Sequence, residues 1–231
     1  MLFVYINLEF RKKKNIYMNK LLNSLKLKFE RFNAVRPTLD EIKLLKNKHP
    51  YFNLSLSKQI NHQQIIGVIG CYLSHLNVLK KYKLIESKYL VVLEDDVYFD
   101  SNSLKKLDKF LEYLDNNEDW DILRLIWNQH VNQLIYANKS FDNIKLLKFD
   151  SVNKDSIFYT DEKKKNFCTG GTHFQVINTK KIQKIINYLD KDWIYHIDSL
   201  LSNNILNIFA ISSEDLNIRW NMFNFSDIPK K

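Results

Sequence analysis

Three consecutive acids, Glu94, Asp95 and Asp96, follow directly on the apolar run at residues 89–93. Carboxylates crowded in this way repel one another unless a cation or a set of donors compensates. Hard divalent ions such as Mn2+ and Mg2+ satisfy such a group through a few carboxylate oxygens plus the oxygens of a bound phosphate. The plainer alternative is a solvated acidic turn. An apolar run of this kind makes a buried strand, and ligands of open α/β sheets bind beyond the carboxyl ends of the strands. Metal-assisted handling of a phosphorylated substrate is therefore the chemistry to expect.

Glycine and histidine add to the pattern. The chain has only four glycines, in two pairs, Gly67 with Gly70 and Gly170 with Gly171. Each pair is followed by a histidine, His75 or His173, and lies close to a cysteine, Cys71 or Cys168. Glycines so sparingly used belong where backbone turns with positive φ or passes close to a ligand, or where a helix packs tightly on a strand. His75 shares a helical stripe with Cys71, Val78 and Tyr82, which suits either a hydrogen-bonded core histidine or a substrate contact. His173, at the start of a strand, is better placed to reach into a cleft. His196, two residues before Asp198, is a candidate metal ligand. His49, His62 and His130 lie in polar stretches and receive no role.

The elements that must position these groups are legible in outline. Residues 2–6 read as a strand closing at Asn7, followed by a basic turn and an apolar-periodic helix over about 18–29. Residues 32–35 suggest a second strand, and 39–48 a short helix before Pro50. The stretch 51–64 reads as a surface loop. Ile69, Tyr72, Leu73, Leu76 and Leu79 recur at helical spacing, with Gly67 and Gly70 opening that helix. Further strands are expected at 89–93, 122–126 and 172–177, a charged helix around 104–114, and an apolar-faced helix through Ile182, Ile185, Ile186 and Leu189. Residues 128–167 are irregular, with room for insertions or an antiparallel edge. Alternating strands and helices imply one α/β domain, a mainly parallel sheet flanked by helices on both sides.

A hydrophobic content of 45% excludes a disordered chain, and a formal charge of +9 suits an anionic partner. Most lysines fall in short runs, such as residues 11–14 and 163–165, that read as solvated faces. A nucleic-acid-binding protein is one competing reading, but the basic residues are scattered and an acidic cluster occupies the expected cleft. A metal-dependent nucleotidyltransferase and a non-catalytic scaffold are others. Two cysteines are too few for a disulfide framework and fit a reducing compartment. Nothing reads as a signal peptide or a membrane span, so a soluble, cytoplasmic protein is expected, with peripheral membrane contact left open. Richness in Lys, Asn and Ile fits an AT-rich genome, bacterial or viral.

Taken in order, Gly67-Val68-Ile69-Gly70-Cys71-Tyr72-Leu73-Ser74-His75 and Leu93-Glu94-Asp95-Asp96-Val97 resemble glycosyltransferase family 25. Ile6-Asn7-Leu8 with Arg11 resembles that family's first strand and basic turn, and residues 31–35 its second strand. Residues 169–174, Thr-Gly-Gly-Thr-His-Phe, resemble its late Gly-Thr-His segment, and Ile197-Asp198 its acidic position near the C-terminus. Val68 stands where the family usually has an acid. The resemblance implies a GT-A, Rossmann-like fold, a UDP-sugar donor, Mn2+ (or Mg2+) dependence and inversion at the anomeric carbon. A hexose, galactose or glucose, would pass to a glycan, lipopolysaccharide or glycoprotein acceptor, with no nucleic acid involved. It implies that Asp96 binds metal, with Glu94 or Asp95 on metal or ribose; His196 is a candidate further ligand from its place beside Asp198 alone. Asn7, Arg11, Ser74 and His75 would meet the donor. Asp198 would serve as general base, unless it caps a helix instead, in which case Glu214 or Asp215 could act; His173 would be the other catalytic residue.

Overall fold

The computed structural model describes residues 1–48, 62–126, 134–141, 143–149, 172–190, 196–201 and 205–220. Six consecutive buried residues, Leu2–Asn7, form β1, flanked by two strands parallel to it, β2 (Phe29–Asn33) and β3 (Tyr89–Glu94). Parallel neighbours need crossovers. Helix α1 (Lys12–Ser24) supplies the first; α2 (Leu39–Lys48) and α3 (His62–Tyr82) lie within the second. After β3 come the short β4 (Val97–Tyr98), α4 (Ser101–Asn117), β5 (Ile122–Ile126), β6 (Leu134–Phe141) and β7 (Ile144–Phe149). Then follow β8 (Phe174–Asn178), α5 (Ile182–Leu189), α6 (Ile197–Leu200), β9 (Ile208–Ser212) and β10 (Arg219–Trp220).

The main sheet has the order β2-β1-β3-β8-β5-β9-β7-β6, and β4 pairs with β10 separately. Only β7 and β8 run against the other strands. This is an α/β, Rossmann-like, mainly parallel sheet with helices on both faces. Alternation along the strands divides the core in two. Val4, Ile6, Leu90, Val92 and Ile177 face α3 and α5, while Phe3, Tyr5, Val91, Leu93 and Val176 face α1 and α4. No helix among the described residues is long and apolar enough to cross a membrane.

Several expectations from the sequence need correction. The basic segment after β1 forms the first turn of α1 instead of a separate turn; Lys12 and Lys13 are exposed as expected, but Lys14 is buried against acids far along the chain. That helix ends at Ser24 rather than near 29. Lys26 takes a left-handed conformation (φ 54°), and the Leu27 N–H closes on the Leu22 carbonyl at 3.1 Å. Phe29 is thereby released to start β2, which ends at Asn33 and leaves Val35 outside the strand. Residues 62–64, expected in a loop, begin α3, so Gly67 and Gly70 lie inside that helix instead of opening it. A Cβ on Gly70 would stand 2.5 Å from the Val35 carbonyl oxygen, which is why glycine is needed there. β8 begins at Phe174 and runs antiparallel to both neighbours. The antiparallel edge for which the stretch 128–167 left room is present, as β6–β7. Residues 49–61, Cys168, Gly170 and Gly171 lie outside the described residues.

Candidate functional site

The parity of β3 determines where each acid points. Glu94 continues the face of Leu90 and Val92 and turns toward α3, whereas Asp95 continues that of Val91 and Leu93 and turns toward α1. β8 meets this strand end from the opposite direction: the Glu94 N–H donates to the His173 carbonyl at 2.9 Å. The site thus assembles at the carboxyl ends of β1 and β3 and the amino end of β8.

Asp95 is 5% exposed, and its close donors among the described residues come from β1, α1 and the residue just before α1. Asn7 Nδ2 donates to it at 2.7 Å, Lys14 Nζ at 2.9 Å and Arg11 at 3.5 Å. Asn7, itself buried, accepts in turn from Arg31 Nε at 3.1 Å. Asp95 and Asn7 therefore lock the start of α1 to the end of β1. Lys14 also reaches Asp96 Oδ2 at 3.2 Å, tying the two acids to one cation.

Glu94 and Asp96 converge instead on His173. Its Nδ1 lies 3.1 Å from Glu94 Oε2 and 3.2 Å from Asp96 Oδ1, and the Thr172 hydroxyl donates to Glu94 Oε1 at 2.7 Å. One ligating atom from each of Glu94, Asp96 and His173 falls within 4.8 Å of the others. Burial disfavours the charged imidazole, but Glu94 and Asp96 outweigh it and push the His173 pKa up to about 10. Burial likewise opposes ionisation of Glu94 and Asp96, yet His173 holds both below the usual carboxylate range, Glu94 far below. For Asp95 burial wins over Lys14, Asn7 and Arg11, and its pKa is raised.

Other residues singled out from the sequence take different places. Ser74 is buried and bridges α3 to the loop after β2, accepting from the Val35 N–H at 2.8 Å and donating to the Gly70 carbonyl at 2.6 Å. His75 is buried, its Nε2 3.6 Å from Glu94 Oε1. His196 immediately precedes α6, and Asp198 is that helix's second residue rather than its cap. Neither belongs to a group of converging metal-ligating atoms among the described residues. Burial lowers the His196 pKa, opposed by Asp198. Buried Arg124 donates to the Asp198 carbonyl at 3.3 Å and the Leu201 carbonyl at 2.5 Å, fixing α6 beneath the sheet. Glu214 and Asp215 are exposed ahead of β10.

Three contributors escaped the sequence reading. Lys14 carried no signal beyond lying one helical turn from Arg11. Thr172 stood within the Thr-Gly-Gly-Thr-His segment without a role. Trp220 comes from the far end of the chain through the β4–β10 pairing, which holds it edge-on to His173 with ring centroids 5.0 Å apart and 48% of its surface exposed.

The sequence model described as glycosyltransferase family 25 (LPS biosynthesis protein) matches residues 1–201. Procollagen galactosyltransferase 2 of Mus musculus and of Homo sapiens are each 40% identical to the chain over 58 residues, 25% of this chain and 9% of theirs. Procollagen galactosyltransferase 1-B of Xenopus laevis is 30% identical over 130 residues, 52% of this chain and 20% of its own length. The chain thus spans a fifth or less of these relatives.

Proposed function

The chain belongs to glycosyltransferase family 25, and from that membership and the geometry at the end of β3 we propose an inverting, metal-dependent hexosyl transfer from a UDP-sugar. The acceptor is a glycan, a lipopolysaccharide or a protein-linked acceptor, and the names of the relatives favour galactose over glucose as the transferred hexose. The GT-A form of the fold belongs to the same reading. The observation that carries it is the convergence of Glu94, Asp96 and His173 within 4.8 Å. Two carboxylates and an imidazole are a donor set that Mn2+ accepts, and Mg2+ less readily because it prefers oxygen. The bound ion supplies Lewis-acid neutralisation of the charge that develops on the departing diphosphate.

The chain's own residues do the rest. Lys14 and Arg11 add positive charge beside the carboxylates, where a diphosphate is drawn in. Asn7, by holding Asp95 at 2.7 Å, keeps α1 in place at the mouth. Trp220 offers an exposed ring against which a sugar or base packs. Asp198 takes the proton of the acceptor hydroxyl as its oxygen bonds to the anomeric carbon and the bond to UDP breaks.

Isothermal titration with UDP in Mn2+, and again in chelator, tests the reading, alongside a panel of UDP-sugars assayed for released UDP. Tight UDP binding in Mn2+ should weaken at least tenfold with chelator or in Asp96→Asn, with the fold retained. Equal affinity in all three conditions, or release of pyrophosphate in place of UDP, would reject it.

A further inference from the structure

Cys71 and His75 stand one helical turn apart on α3, so both project from the same side of the helix, the side that meets the end of β3. The Cys71 thiol, a ring nitrogen of His75 and a carboxylate oxygen of Glu94 all lie within 4.8 Å of one another. This trio differs in kind from Glu94, Asp96 and His173. Thiolate and imidazole select borderline-soft ions such as Zn2+, whereas Mn2+ and Mg2+ favour oxygen. A second observation points the same way. Among the described residues, His75 Nε2 is buried with no hydrogen-bond partner, and the carboxylate oxygen it approaches, Glu94 Oε1, is 3.6 Å away. Buried ring nitrogens are normally satisfied, and a cation shared with Glu94 would satisfy this one.

We propose that Cys71, His75 and Glu94 form a second cation site, selective for Zn2+ over Mn2+, at which Zn2+ acts as an inhibitor. On binding, the thiol gives its proton to solvent and sulfur, nitrogen and carboxylate oxygen bond to the ion, leaving the remaining position to water. Glu94 belongs to both groups but turns a different oxygen to each, Oε1 toward His75 and Oε2 toward His173. A carboxylate shared in this way donates less charge to either ion, so Zn2+ weakens the hold of Glu94, Asp96 and His173 on Mn2+ instead of substituting for it. The inhibitory half of this inference rests on the donor-site reading above; the site itself does not.

Cobalt(II) is the probe, because a thiolate ligand gives it a sulfur-to-metal charge-transfer band in the near ultraviolet. Stoichiometric Co2+ added to the full chain should produce that band, Zn2+ should abolish it, and excess Mn2+ should leave it. Cys71→Ser should lose the band while Cys168→Ser keeps it, and His75→Gln should bind Co2+ roughly tenfold or more weakly. No band in the parent protein, or a band surviving in Cys71→Ser, overturns the site. If Cys71→Ser does not fold, alkylation of Cys71 in the parent protein, read by mass spectrometry, replaces it: Zn2+ should slow the reaction, and an unchanged rate counts against the site. Mn2+-dependent UDP binding on the same samples separates the two readings. Cys71→Ser should retain it, and Zn2+ should weaken it in the parent protein but not in that variant. A thiolate band alongside UDP binding indifferent to Mn2+ sinks the donor site and leaves this one standing; the converse sinks this one alone.

Discussion

Lys14 is buried between two acids that are neighbours in the chain but face different ways, 2.9 Å from Asp95 and 3.2 Å from Asp96. Removing one partner from a buried ion pair leaves an uncompensated charge, which costs more than the pair contributes. Lys14→Met should accordingly lower stability by about 3 kcal/mol, read from urea unfolding. Adding Asp95→Asn should restore part of that loss, since the neutral amide still accepts from Asn7. Strict additivity in the double-mutant cycle would show that Lys14 and Asp95 are not coupled. Asp198 poses a different question. It lies within the first turn of a four-residue helix, so a helix dipole gives little reason for an acid there. Asparagine keeps its shape and its acceptor oxygen but cannot take a proton. Asp198→Asn should therefore cut turnover on the order of 10²-fold or more, with UDP affinity and melting temperature nearly kept. Near-normal turnover would move the base elsewhere, with Glu214 and Asp215 the next to test.

Among the elements, those determined by local apolar pattern could be read directly from the sequence, and those determined by distant partners could not. β3 is a continuous apolar run up to Glu94, β5 is one interrupted by Arg124 alone, and the amphipathic stripe of α5 is equally plain. The start of α1 is not, because Lys14 looks as solvated as Lys12 and Lys13 until Asp95, 81 residues on, is folded against it. The acidic triplet was legible as a cluster. Its division, Glu94 and Asp96 toward His173 but Asp95 toward Lys14, follows only once the neighbours of β3 are known. Trp220 left no trace in local sequence, since only the β4–β10 pairing brings it to the site. Gly70 looked like a helix opener and proves to be a point of close approach. Alanine at a helix interior ordinarily gains about 1 kcal/mol over glycine. Here its methyl would meet a backbone carbonyl at 2.5 Å, and overpacking of that kind costs about 1–3 kcal/mol. Because Val35 is also tied to Ser74, the loop has little freedom to yield. Gly70→Ala should thus come out net destabilised in thermal unfolding; a rise in melting temperature would mean that the loop gives way cheaply.

At the scale of the whole molecule, the candidate site joins parts of the chain that are far apart in sequence. β1 and α1 come from the first thirty residues, β3 from the middle, and His173 precedes β8. Asp95 links the first two, and the Glu94 N–H bond to the His173 carbonyl ties the third across the sheet. Glu94 faces the core layer under α3 while Asp95 faces the layer under α1, so the site touches both halves of the core. A ligand bound there should resist global unfolding rather than the opening of one loop. Binding to the native state alone stabilises by about 2.7 kcal/mol when ligand stands at ~100 times its Kd. For a chain of 231 residues, each kcal/mol raises the melting temperature by about 2–4 °C. UDP and Mn2+ together should accordingly raise it by about 5–10 °C, and UDP with chelator by much less. The transition should move as one if the chain unfolds as a single domain. Circular dichroism and intrinsic tryptophan fluorescence report on different parts of the molecule, the backbone throughout and four indole rings, so their melting curves should shift in parallel. A shift in fluorescence alone would confine the coupling to the neighbourhood of the site, and an equal shift with chelator present would detach it from the metal.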